Sequence, residues 1–115
     1  MAFKSIKIFV FVLTVAFVTV LTFPIGYAAG DKAAGKTVYD TICAACHGVD
    51  GNAVIPGVPI FTKGERLDKG DADLAKSIKE GIMKPQNPAA PPMPALGLSD
   101  DDISNVLAYI RSLKK

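Results

Sequence analysis

Residues 43–47 read CAACH, and they hold both cysteines and the only histidine of a 115-residue chain. On a helix, Cys46 stands three residues and His47 four residues beyond Cys43, so the three side chains leave on roughly one face. Whatever this chain folds into must place something against two sulfurs and one imidazole. A disulfide between Cys43 and Cys46 would close a very short loop and staple almost nothing. Stability is therefore a poor reason for the pair.

The chain opens with Lys4 and Lys7, followed by an uncharged run from Ile8 to Ala29. Basic residues ahead of an apolar stretch form a secretory leader pattern. Pro24 and Gly26 break the run, and Gly26 and Ala28 give the small-residue spacing that a signal peptidase reads. The expected organisation is a signal peptide over 1–28, with cleavage after Ala28 or Ala29, and one domain over 30–115. The alternative is an uncleaved anchor, because the 22 uncharged residues match the roughly 20 that a membrane span needs.

An 86-residue domain buries a modest fraction of its surface and often needs a cofactor, metal or disulfide as a staple. Outside the leader, 11 basic and 11 acidic residues cancel. The basic face that nucleic acid requires is missing from such a balance.

Periodicity predicts three helices and no strands. The first covers 31–46, with Ala34, Val38, Ile42 and Ala45 at three- and four-residue steps and Tyr39 widening the stripe. A glycine- and proline-rich loop follows over 49–70. The second helix starts near Asp71 as N-cap, carries Leu74 and Ile78, and stops at Gly81. Five prolines between Pro85 and Pro94 exclude regular helix, so that stretch should be extended and stiff. The third helix is the clearest. Ser99 and Asp102 have capping-box spacing, Asp100, Asp101 and Asp102 suit the positive end of the helix dipole, and Ile103, Val106, Leu107, Ile110 and Leu113 line one face.

C-x-x-C-H is the attachment signature of c-type haem: two thioethers hold the porphyrin and the adjacent imidazole meets the iron. A thioredoxin-like dithiol would want a βαβ setting, which is absent here. Zinc would need a fourth strong ligand, and no other Cys or His exists. One covalent haem c is thus the expected cofactor, with Cys43, Cys46 and His47 binding it. The sixth iron ligand cannot be a second histidine. Met83 and Met93 are the candidates, and Met93 is favoured because Pro92 and Pro94 leave its backbone little freedom to lose.

From Gly30 to Leu113 the chain resembles the class I c-type cytochromes. GKTVYDTICAACHG looks like their N-terminal helix with its haem motif, and PPMPALGLSDDDISNVLAYIRSL like their methionine loop and C-terminal helix. The resemblance implies a small all-α cytochrome c fold, about three main helices and long loops wrapped around one haem, with His47 and Met93 as metal ligands. It implies that Gly35 and Tyr39 cross Val106 and Tyr109. It also implies that the carbonyl of Pro59, or of its competitor Pro56, accepts the imidazole N–H. The chain departs from the family in having no tryptophan to hold a haem propionate, which leaves Arg66 or Lys63 for that task.

An iron with both axial positions filled favours electron transfer over substrate chemistry, and a thioether ligand raises its potential relative to a second imidazole. The expectation is a non-enzymatic, periplasmic one-electron carrier, monomeric, exchanging electrons with redox protein partners. A membrane-tethered subunit of a larger oxidoreductase would require the leader to stay. A haem enzyme or gas sensor would require an open iron. The four-helix gas-binding cytochromes keep their haem motif near the C-terminus, whereas here it opens the domain.

Overall fold

Asp31 starts the first helix. The computed structural model describes residues 29–115, so the leader expectation over 1–28 lies outside the described residues. The Asp31 carboxylate accepts from the backbone N–H of Ala33 at 2.8 Å and of Ala34 at 3.2 Å, satisfying two donors that open α1 (Lys32–Val38). The helix runs on through a π-helical turn, Tyr39–Cys43, into α2 (Ala44–His47), and Gly48 ends it at φ 77°.

This path corrects the predicted apolar stripe. Ala34 and Ala45 are exposed and Ile42 is 37% exposed, while Gly35 and Tyr39 are the buried positions. Two constraints displace the stripe. The π turn widens the helix and shifts its faces, and the close approach at Gly35 decides which face meets the rest of the protein.

Helix α3 (Asp71–Glu80) buries Leu74 and Ile78 as expected, but its N-cap is Gly70 rather than Asp71. Asp71 is already helical, and its carboxylate is engaged by Arg111 Nε at 2.6 Å. Helix α4 (Asp100–Ser112) has the expected cap: Ser99 Oγ accepts from Asp102 N at 3.1 Å and donates to Asp102 Oδ2 at 2.8 Å. Its buried face is Ile103, Val106, Leu107, Tyr109 and Ile110, with Leu113 half-buried.

Helix α1 crosses α4 at very close range. A Cβ on Gly35 would sit 1.9 Å from the Asn105 carbonyl oxygen, and one on Gly30 would sit 2.1 Å from that of Ser104. Asn105 Oδ1 also accepts the Asp31 backbone N–H at 2.7 Å, fixing where the chain enters the pair. Behind the crossing, Tyr39 and Tyr109 meet edge-on at 5.1 Å, and Tyr39 and Val106 are fully buried. Arg111 then joins α4 to the turn before α3, donating to the Leu67 carbonyl at 3.0 Å and the Lys69 carbonyl at 2.8 Å. The helices thus form a bracket, and Phe61 of a short 3-10 turn, Phe61–Lys63, joins their buried core.

Among the described residues no strand forms. There is one isolated antiparallel bridge, between Ile82 and Met93, and no helix long and apolar enough to cross a membrane.

Candidate haem site

The bracket leaves a cleft of about 580 Å³, a volume within the range of small-molecule and cofactor sites. One wall is the end of the first helix: Ile42, Cys43, Cys46 and His47. The proline-rich loop also lines the cleft, with Pro85, Pro91, Pro92, Met93 and Pro94. The floor is core side chains, including Phe61, Leu74, Ile78, Leu107 and Ile110. The Ile42 that appeared misplaced in a helix–helix stripe is thus a cleft residue.

His47 is pinned from two sides. Its ring stacks on Phe61, with centroids 4.5 Å apart and planes 13° from parallel. Its Nδ1 lies 3.3 Å from the Pro59 carbonyl oxygen, which can only accept, so Nδ1 carries the proton and Nε2 keeps its lone pair. Burial lowers the His47 pKa below 6.5, opposed by the Pro59 bond, and so favours the neutral imidazole that ligates metals. It is the Pro59 carbonyl, not that of Pro56, that meets the ring.

Cys43 and Cys46 are half-buried free thiols. Burial, then the neighbouring Cys46, pushes the Cys43 thiol up to about 11. A redox dithiol needs the opposite shift. Among the described residues no cluster of three or more His, Cys, Asp or Glu is placed to hold a bare metal ion.

The two methionines are clearly separated. Met93 is half-buried and lines the cleft, whereas Met83 is 72% exposed and lies outside it. Prolines alone do not hold Met93. Its backbone exchanges two hydrogen bonds with Ile82, at 2.7 and 3.0 Å. Gly81 makes room for that pairing, since a Cβ there, at φ 77°, would lie 2.6 Å from the Met93 carbonyl oxygen. Of the two propionate candidates, Arg66 lines the cleft, in a left-handed conformation at φ 67°, and Lys63 does not.

Three contacts escaped the sequence reading. The Tyr39 hydroxyl donates to the Gly48 carbonyl at 2.7 Å, capping the helix that carries CAACH. Burial raises the Tyr39 pKa, which keeps that hydroxyl a donor. The Ile82–Met93 bridge and the Glu65–Ile60 bond at 2.8 Å are the other two. Each joins residues whose pairing carries no periodic signal.

These residues fit a planar apolar macrocycle bearing a metal. Two thiols, an imidazole and a thioether line one cleft, and most of the remaining lining is hydrocarbon. A cleft so equipped defines a c-type haem protein of the class I kind. The sequence signature of cytochrome c matches residues 32–114, and the chain belongs to the cytochrome c family. Membership implies covalently bound haem c. Cytochrome c-554(547) of Halothiobacillus neapolitanus is 41% identical over 93 residues, 75% of this chain and 100% of that protein. Cytochrome c6 of Picosynechococcus sp. is 39% identical over 109 residues, 90% of this chain and 91% of the relative. Cytochrome c4 of Azotobacter vinelandii is 35% identical over 96 residues, 78% of this chain and 44% of that longer protein.

Proposed function

We propose that this protein is a monohaem one-electron carrier that works outside the cytoplasm. The observation that carries the reading is that Cys43, Cys46, His47 and Met93 all line one cleft, with Met83 exposed outside it. When bound, the haem supplies an iron that gains and loses one electron. Cys43 and Cys46 would hold it through thioethers. Nε2 of His47 and the thioether of Met93 would hold the iron, while Pro59 holds the imidazole and Ile82 holds the Met93 backbone. The same ligands serve both oxidation states, so the chain has little to rearrange on electron transfer. Phe61, Leu74, Ile78, Leu107 and Ile110 exclude water from the buried side. Arg66 is the residue to neutralise a propionate.

Residues 1–28 act as the secretory leader of a domain spanning 30–115, and the work is done in the periplasm by a monomer. Lys76, Lys79 and Lys84 lie close together in sequence as a basic group a partner could read, but Lys79 already donates to Asp100 at 2.7 Å.

Intact mass measured under denaturing conditions tests this reading. The expected product starts at Ala29 or Gly30 and carries the mass of one haem. Full-length protein with haem would instead support the tethered subunit. Replacing both Cys43 and Cys46 by Ala should remove the haem from the denatured chain. Haem that stays with the double variant would refute attachment at these sulfurs.

A further inference from the structure

The Pro59 carbonyl that meets His47 shares a rigid planar unit with the backbone N–H of Ile60. All peptide bonds among the described residues are trans, and in a trans unit the C=O and N–H point in opposite directions. Whatever holds the Ile60 N–H therefore aims the Pro59 oxygen. Pro59 has no N–H of its own with which to anchor that side. The Ile60 N–H donates to Glu65 Oε2 at 2.8 Å, and the Glu65 N–H returns a bond to the Ile60 carbonyl at 3.3 Å. One residue thus holds both backbone groups of Ile60. The tight turn that brings Glu65 back is shaped by Gly64, which is left-handed at φ 76°.

We propose that Glu65 is a positioning residue for the axial imidazole, acting through the Pro59–Ile60 peptide unit on His47. The carboxylate draws on the N–H at one end of the unit, and the carbonyl at the other end faces His47 Nδ1 at 3.3 Å. A charged acceptor also polarises the unit, because linked hydrogen bonds strengthen one another. A stronger acceptor at Nδ1 raises the basicity of Nε2, as outer partners of metal-bound histidines do. Greater donation to the iron favours its oxidised state, so Glu65 lowers the reduction potential. This inference rests on the reading of His47 as an iron ligand.

The test compares the parent holoprotein with Glu65→Ala and Glu65→Gln. Proton NMR of the oxidised form follows the exchange of His47 Nδ1–H with solvent, and redox titration follows the potential. Glu65→Ala should speed that exchange about tenfold, as expected for losing one charge-assisted hydrogen bond, and raise the potential. Glu65→Gln keeps an acceptor and should restore most of the protection. Parent-like exchange and potential in the Ala variant, with or without a lower melting temperature, would overturn the proposal. So would a Gln variant that exchanges as fast as Ala. If the parent shows no His47 resonance displaced by the paramagnetic iron, the axial reading itself fails and takes this inference with it.

Discussion

Gly35 is where α1 and α4 come closest, and Gly35→Ala should damage the protein through that contact alone. The added Cβ would lie 1.9 Å from the Asn105 carbonyl oxygen, 2.4 Å from its carbon and 2.9 Å from Val106 N. All three atoms are backbone, so no rotamer change relieves them. Restoring ordinary contact, which begins at 3.4 Å, means parting the helices by about 1.5 Å along that line. The separation opens the Tyr39–Tyr109 contact and the packing of the fully buried Val106. Overpacking of this kind costs roughly 1–3 kcal/mol, and the loosened core adds to it. Alanine's better helix propensity returns at most about 1 kcal/mol. The net loss should be about 1–2 kcal/mol, or a melting temperature lower by roughly 5–15 °C for a domain of this size. Thermal melts of the holoprotein followed by far-UV circular dichroism measure it. Gly70→Ala is the control, since a Cβ there meets nothing within 4 Å and only a modest capping loss is expected. A Gly35→Ala protein that melts with the parent, or above it, would refute the close-crossing argument.

Protein made without haem attachment should be largely disordered, because the apolar walls of the roughly 580 Å³ cleft would face water; a cooperative, native-like melt of that form would contradict this. Asp50 gives a pH prediction. Hydrogen bonds from the Asn52 side-chain amide at 2.8 Å and from its backbone N–H at 3.0 Å lower its pKa below 3.8. A depressed carboxylate contributes stability above its unfolded pKa and loses it as pH falls through the folded one. Asp50→Ala should therefore be less stable than the parent at neutral pH, by an amount that vanishes in acid below the folded pKa. Urea melts at the two pH values check this, and an equal difference at both would count against it.

The sequence revealed what local pattern encodes. Ser99 and its aspartates capped α4 as expected, and the face from Ile103 to Ile110 was plain from its spacing. Cys43, Cys46 and His47 were legible as a unit because the chemistry sits within five residues. The first helix was read less well. A π turn carries no distinctive composition, so the stripe through Ala34 and Ala45 was drawn as if the helix were uniform. Asp71 looked like a cap because aspartate favours that position, yet Arg111, forty residues away, engages its carboxylate. The supports of the site were invisible for the same reason. Tyr39 to Gly48, Ile82 to Met93 and Glu65 to Ile60 depend on where loops return, which no periodicity states.

The ligand opposite His47 is the point on which the electron-carrier account turns. Absorption spectra of the oxidised protein and carbon monoxide binding by the reduced protein, taken for the parent, Met93→Ala and Met83→Ala, test it most directly. The account predicts a weak long-wavelength charge-transfer band in the parent, with no ready carbon monoxide binding. Met93→Ala should lose the band, bind carbon monoxide and fall in potential, while Met83→Ala matches the parent. Carbon monoxide binding by the unaltered protein, or loss of the band on changing Met83 alone, would contradict the account.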